Sequence, residues 1–284
     1  METVPSAALL LGTGTRELYA TADTLREVIR DYNRTQLARE YPFLDHELGH
    51  HRLLIDLGLK YLPEAVPTTV LDIGTGRGIC PRFFARLGHR SITLDFPVTG
   101  TNEALNSAAM AGVETHECDC SSQPFPVESD SVDCVYLVDV IEHFPHSPKF
   151  LLEEIYRVLR PGGVLIDSTF NAVRLTVRLK MLLGYSNWPR VGDYYDSSFH
   201  GGHHHEYTEA ELSYVHVRAG LRNIEMQLVE RNSLYVGVGL DSLQSGLRKP
   251  GEGKLKLQLA RKLLCAATQL SPSLKSHMYL VSQK

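Results

Sequence analysis

The sequence has few cysteines, no strong excess of charge and no long apolar run. Among 284 residues there are five cysteines, an odd number without a C-x-x-C pair, so no disulfide framework is indicated. No run approaches the roughly 18–20 apolar residues of a membrane span, and the first residues do not predict a secretory signal. A net charge of −4 argues against a nucleic-acid partner. We therefore expect a cytoplasmic globular protein with reduced thiols.

The most informative stretch is a short apolar run that ends in alternating glycines. Residues 70–73 predict a buried strand, and residues 79–87 carry apolar side chains at helical spacing. Between them lie Gly74, Gly76 and Gly78. A strand, a glycine loop and a helix in this order bring backbone N–H groups and a positive helix end to a ligand. A plain structural turn is the alternative interpretation. The dinucleotide fingerprint G-x-G-x-x-G would need glycine at position 79, where the chain has Ile79.

The G-x-G-x-G spacing behind Asp72 resembles the first motif of class I S-adenosylmethionine (SAM)-dependent methyltransferases. The resemblance covers about residues 68–170 and is closest to the small-molecule, methyltransferase-11-like type. Its further motifs are Asp95 at the end of the second strand, Cys118-Asp119-Cys120 before Pro124-Phe125-Pro126, Glu142-His143 after the fourth strand, and Arg160-Pro161-Gly162-Gly163 before the fifth.

This resemblance implies SAM as the cofactor. By the same likeness, Asp95 would accept hydrogen bonds from both ribose hydroxyls, with a helix cap or turn as the alternative. Asp119 would accept from the adenine amino group, and the backbone of Cys120 would lie along the adenine ring. The implied cofactor-binding set is Asp72, Gly74, Thr75, Gly76, Gly78, Asp95, Phe96, Asp119, Cys120 and Val138.

The expected fold is α/β: a Rossmann-like open sheet, mostly parallel with an antiparallel last strand, and helices on both faces. We expect residues 1–64 to form a helical N-terminal cap and residues 65–284 to form the SAM-binding domain, with insertions at about 170–207 and 232–275. Residues 101–111 predict a helix, residues 164–167 the fifth strand and residues 277–282 an antiparallel strand at the sheet edge.

The first insertion carries a histidine cluster, His200 and His203–His205, followed by Glu206. Because ligands bind at the carboxyl ends of strands in open α/β sheets, we interpret this insertion as a lid over the acceptor. Imidazoles with Glu206 could bind zinc or iron, but adjacent histidines point in different directions and we predict no metal. A hydroxyl acceptor would favour a general base, for which His143 and His205 are the candidates.

The expected activity is methyl transfer to a small-molecule or glycan- or lipid-linked acceptor, at oxygen or carbon. No Asn-Pro-Pro-Tyr follows the fourth strand, which argues against amide and nucleobase acceptors. The alternatives are a nicotinamide-dependent oxidoreductase and a non-catalytic binding protein of the same fold. Basic and apolar residues alternate within 173–183 and 247–264. They suggest peripheral contact with an anionic membrane or a lipid-linked substrate, with solvated amphipathic helices as the alternative.

Overall fold

The computed structural model describes residues 15–35, 38, 47–63, 67–96, 112–187, 191–196, 202–230 and 266–284. The helix expected at 101–111, Trp188, His200 and most of the second insertion lie outside these residues. Among the helices described, none combines the length and the apolar character that crossing a membrane requires.

Seven strands and seven α-helices make up the described fold. The strands are β1 (Thr69–Ile73), β2 (Arg90–Asp95), β3 (Val113–Glu117), β4 (Val132–Val138), β5 (Leu159–Phe170), β6 (Arg222–Val229) and β7 (His277–Gln283). The helices are α1 (Thr15–Tyr32), α2 (Leu48–Tyr61), α3 (Ile79–Arg86), α4 (Lys149–Val158), α5 (Leu175–Leu182), α6 (Val191–Tyr195) and α7 (Glu209–Arg218). Two 3₁₀ turns, Ile141–His143 and Pro272–Leu274, complete the described elements.

The seven strands form one sheet in the order β3-β2-β1-β4-β5-β7-β6. Strands β1 to β5 pair in parallel, whereas β7 runs antiparallel to both β5 and β6. The mostly parallel α/β sheet with an antiparallel last strand is therefore confirmed. Strand β7 lies one position inside the sheet, so the edge strand is β6.

Apolar side chains alternate between the two faces of the sheet, as the period of a β-strand requires. Leu71 and Ile73 of β1 face a core completed by α4 and α7, whereas Val70 faces the core formed with α1, α2 and α3. The sheet is thus covered by helices on both sides. The helices α1 and α2 of the expected N-terminal cap supply buried side chains to the second core.

Strand β5 is longer than its sequence pattern predicts, because the Arg160–Gly163 segment is itself part of the strand. The sequence pattern predicts the fifth strand only at residues 164–167, whereas the structure has it from Leu159 to Phe170. Gly162 N–H donates to the carbonyl of Lys284 at 3.1 Å, and Lys284 N–H donates to the carbonyl of Gly163 at 3.0 Å. A Cβ at Gly163 would lie 3.0 Å from the carbonyl oxygen of Val132, so this close approach of strands requires glycine.

Candidate active site

The glycine loop joins β1 to α3 at the carboxyl edge of the sheet. Gly74, Gly76 and Gly78 all have positive φ (75°, 48° and 63°), a backbone conformation that L side chains rarely adopt. Gly74 N–H donates to the carbonyl of Leu94 at 2.8 Å, which ties the loop to the end of β2. The loop therefore presents backbone, rather than side chains, to the space above the strand ends.

A cavity of about 470 Å³ lies on the β2 and β3 side of this loop. Its walls include Asp95, Asp119 and Cys120, which the sequence resemblance assigns to the adenosine part of the cofactor, and Phe96 of the implied cofactor-binding set. Phe96 is 48% exposed, so the face of its ring is available to a planar ligand. Together with Gly74, the structure thus brings five of the sequence-predicted binding residues to one cavity.

The carboxylates of Asp95 and Asp119 both already accept hydrogen bonds from the protein. Burial raises the pKa of Asp95, and hydrogen bonds from Phe96, Thr75 and Gly76 partly offset this rise. Asp119 Oδ1 already accepts from the backbone and the hydroxyl of Ser121, and its Oδ2 accepts from Ser122 at 2.7 Å. Since each carboxylate oxygen can accept about two hydrogen bonds, Oδ2 of Asp119 can still accept one from an adenine amino group.

A second cavity of about 200 Å³ lies on the other side of the loop, against α2. It is lined by Asp72, Thr75, Cys80, Val138 and the glycine backbone, together with His50 and His51 of α2. Asp72 is 4% exposed, and burial together with the nearby charge of Asp95 raises its pKa well above the usual range. A buried acid of this kind gains most from a cationic ligand, such as an ammonium group.

Gly74 and Asp139 border both cavities and so mark their junction. Asp139 follows β4 directly and holds a left-handed conformation, φ 53°, which is uncommon for a residue other than glycine. Its Oδ1 accepts from Ser168 Oγ at 3.2 Å and lies 3.1 Å from His277 Nε2. Such backbone strain is often found at functional sites, so Asp139 is a further candidate residue.

The two sequence-predicted bases lie in different surroundings. His143 is in the 3₁₀ turn after β4 and borders the larger cavity. His205 is exposed, its ring packs 4.6 Å from that of Tyr207, and it is not among the residues that line the two cavities. Among the described residues, the ring of His203 packs against that of His143, with the centroids 4.9 Å apart and the planes at 89°.

Several residues of this site carry no local sequence signal. His50 on α2 and His277 on β7 reach Asp139 from opposite ends of the chain, with His50 Nε2 4.0 Å from Asp139 Oδ2. His50 Nδ1 also lies 2.7 Å from the hydroxyl of Tyr279 on β7. The one available clue was that Asp139 directly follows a predicted buried strand, at the sheet edge where ligands bind.

Strand order and site together define a class of protein. Strand β7 lies between β5 and β6, whereas dinucleotide-binding sheets have the strand order 3-2-1-4-5-6. The nicotinamide alternative therefore loses its structural basis. Three features of this site fit SAM. They are the buried carboxylate of Asp72 before the glycine loop, the partly buried carboxylate of Asp95 at the end of β2, and Asp119 after β3 in the cavity that the exposed ring of Phe96 also lines. The fold and the residues at this edge of the sheet are those expected of a class I SAM-dependent methyltransferase.

Comparison with known proteins agrees with this class. Residues 71–167 match the family model of a methyltransferase domain. A ubiquinone biosynthesis O-methyltransferase of Xanthomonas oryzae pv. oryzae is 30% identical over 168 residues, which are 56% of this chain and 62% of that protein. A ubiquinone/menaquinone biosynthesis C-methyltransferase of Brucella abortus is 28% identical over 173 residues, 55% of this chain and 62% of that protein. The chain thus spans less than two thirds of the length of either relative.

A solved structure supports the fold in the same way. The SAM-dependent methyltransferase from Mesorhizobium loti superposes with a TM-score of 0.53, covering 84% of this chain and 98% of that one at 16% identity. At this level of identity the similarity concerns the fold alone.

Proposed function

We propose that this protein transfers the methyl group of SAM to an oxygen or carbon atom of a small-molecule acceptor. The observation that carries the proposal is the meeting of the two cavities at Gly74 and Asp139. A cofactor with its adenosine in the larger cavity and its amino acid in the smaller one has its sulfonium at this junction. SAM supplies an electrophilic methyl group there, and the chain aligns the acceptor and excludes water.

Individual side chains of the site have separate tasks. Asp72 pairs with the ammonium group, and Asp95 accepts from the ribose hydroxyls. The acceptor approaches from the His143 side, where the rings of Phe170 and His203 pack at a tilt of 43° with their centroids 4.9 Å apart. The two relatives named for ubiquinone biosynthesis support a ring-containing acceptor of the quinol type, methylated at oxygen or at carbon.

Calorimetric titration with S-adenosylhomocysteine tests the cofactor site. Asp95→Ala removes an acceptor of two hydrogen bonds to a charged group, each worth about 1.5–3 kcal/mol, so we expect a loss of affinity of about 100-fold or more. Asp23→Ala removes a carboxylate that is 68% exposed on α1 and serves as the control. Equal affinity in both variants would place the ligand elsewhere.

Methyl transfer itself is tested with radiolabelled SAM and a panel of hydroxylated aromatic acceptors, followed by mass spectrometry of the product. A labelled product that depends on Asp95 supports the enzyme. Tight binding of S-adenosylhomocysteine without any methylated product across the panel would favour a non-catalytic binding protein of this fold.

We further propose that α5 contacts an anionic membrane surface from which a lipid-linked acceptor enters. The helix and the residues after it expose Leu179, Met181, Leu182 and Leu183 by 43–81%. Arg178 and Lys180 lie on the same short helix, so apolar insertion and attraction to anionic lipid would act together. A membrane-peripheral location follows from this proposal.

Vesicle flotation tests the membrane contact. We expect the protein to float with vesicles rich in phosphatidylglycerol and to lose this binding in the Leu182→Ser/Leu183→Ser variant. Leu270→Ser is the control, because Leu270 is 84% exposed and lies outside α5. Flotation of neither the wild type nor the control would end the proposal.

A further inference from the structure

A buried carboxylate beside the larger cavity has an oxygen with no protein donor. Glu142 is fully buried, and its Oε2 accepts a hydrogen bond from Thr169 Oγ1 at 2.9 Å. Among the described residues, nothing donates to its Oε1. A buried oxygen of this kind is costly unless a cation or a donor satisfies it.

Two imidazoles converge on this carboxylate. His143 adjoins Glu142 in the 3₁₀ turn, and His203 arrives from the lid segment. One ligand atom from each of the three residues lies within 4.8 Å of the other two. The backbone holds this arrangement, because His204 N–H donates to the carbonyl of Glu142 at 2.7 Å and joins the lid to the turn. The convergence therefore does not depend on side-chain rotamers alone.

Glu206 lies directly behind His203. Its Oε1 lies 2.8 Å from His203 Nδ1, so the second ring nitrogen of His203 is the one left for a ligand. Arg174 forms an ion pair with Glu206, and Asn187 donates to it at 2.9 Å. A carboxylate that holds the far nitrogen of a histidine in place is typical of metal-ligating histidines.

We propose that Glu142, His143 and His203 bind a divalent cation. Two imidazoles and one carboxylate suit Zn²⁺, Fe²⁺ or Mn²⁺ and leave coordination positions open. Since His143 borders the larger cavity, the open positions face the space from which the acceptor approaches. The role of the cation rests on the proposed function. In methyl transfer to oxygen, the cation holds the acceptor hydroxyl and lowers its pKa, and the hydroxyl proton passes to water.

The assignment differs from both sequence-based expectations. Glu206, considered there as a metal ligand, orients His203 instead, and Glu142 is the carboxylate ligand. His143 becomes a ligand rather than a general base. The difficulty that adjacent histidines point in different directions is removed, because the two ligating histidines come from separate segments.

Titration calorimetry on the full chain, treated with a chelator and then given MnCl₂ or ZnCl₂, tests the site. We expect one site per chain that is lost in Glu142→Gln and His203→Ala. Glu206→Gln should keep the ligands but weaken the affinity by about 10–100-fold, as removal of an orienting partner does. His205→Ala is the matched control, since His205 is exposed and lies only two residues away.

S-adenosylhomocysteine binding, measured on the same samples, separates the two proposals. If all variants keep that binding and only the first three lose or weaken the metal site, the inference stands. Metal affinity that is equal in the wild type, Glu142→Gln and His203→Ala would overturn it, as would the absence of binding by a wild type that still binds S-adenosylhomocysteine. Failure of S-adenosylhomocysteine binding in the wild type would instead contradict the proposed cofactor site.

Discussion

The Gly74→Ala substitution places a methyl group where the first glycine of the loop approaches Val140. An added Cβ would lie 2.5 Å from Val140 Cγ2, closer than nonbonded carbon atoms tolerate. Its φ of 75° adds about 1–2 kcal/mol of backbone strain for an L residue. Relief of the contact by movement of a stiff β-branched side chain costs about 1–3 kcal/mol more. We therefore expect a destabilisation of about 2–5 kcal/mol.

A control separates strain from overlap. Gly162 has a φ of 84°, but no atom lies within 4 Å of the Cβ that alanine would add there. Gly162→Ala should thus show only the strain of about 1–2 kcal/mol. The difference between the two variants estimates the cost of the contact with Val140.

Val140→Ala supplies the rescue. It removes Cγ2, after which the nearest Val140 atom to the new methyl group is Cβ at 3.7 Å, an ordinary contact. In a double-mutant cycle we expect Val140→Ala to recover about 1–3 kcal/mol of the Gly74→Ala loss. Because both residues border the larger cavity, affinity for S-adenosylhomocysteine should recover partly in the double variant.

Urea unfolding followed by circular dichroism measures the four free energies, and calorimetry measures the affinities. The reasoning is refuted if Gly74→Ala is no more destabilising than Gly162→Ala. It is also refuted if the coupling with Val140→Ala stays below about 0.5 kcal/mol, within the range of independent sites.

Three other substitutions or conditions test separate parts of the structure. Gly58→Ala should destabilise the protein despite the better helix propensity of alanine, because the new Cβ would lie 1.8 Å from the Tyr136 hydroxyl. Gly49→Ala on the same helix meets no atom within 4 Å and should stabilise the protein by up to about 1 kcal/mol in thermal or urea unfolding. Asp72→Asn should raise the free energy of unfolding at pH 7. A carboxyl whose pKa is raised in the folded state contributes stability below its unfolded pKa, and this stability is lost as the pH rises. The same substitution should weaken S-adenosylhomocysteine binding by about 10-fold or more, because the ligand loses a charged partner. Burial raises the pKa of Asp95, so this carboxylate takes up its proton at a higher pH than an ordinary aspartate does. On acidification, the affinity for S-adenosylhomocysteine should therefore begin to fall above the usual pKa of an aspartate. Calorimetry between pH 4.5 and 7.5 measures this, and an affinity independent of pH in that range would contradict the ribose role.

Features set by neighbouring residues could be predicted from the sequence. The glycine loop, Asp95 at the end of β2 and the Thr208–Glu211 capping box each depend on local backbone geometry. In the capping box, Thr208 Oγ1 accepts from Glu211 N–H, and Glu211 Oε2 accepts from Thr208 N–H at 2.8 Å. The residue types at these positions therefore indicate the structure directly.

Features set by distant residues could not be predicted in the same way. The Asp139–His277 contact joins positions 138 residues apart, and it exists only because β7 inserts between β5 and β6. The sequence pattern predicted an antiparallel strand at 277–282 but not its neighbours in the sheet. Likewise, the pattern at 200–206 showed several histidines, but only the folded chain, in which His204 N–H donates to the carbonyl of Glu142, brings His203 to Glu142 and His143.

The carboxyl end of the sheet concentrates acids that the protein alone does not neutralise well. Burial raises the pKa of Asp72, Asp95 and Glu142, and the carboxyls raise one another, as Asp95 does for Asp72 and Asp139 for Glu142. A site of this kind stores an electrostatic cost in the unliganded fold and recovers it when positive charge binds. SAM carries positive charge as an ammonium group and as a sulfonium, which suits the Asp72 cavity and the junction at Asp139. Among the described residues, nothing donates to Oε1 of Glu142, which is the reason that a further cation is inferred there.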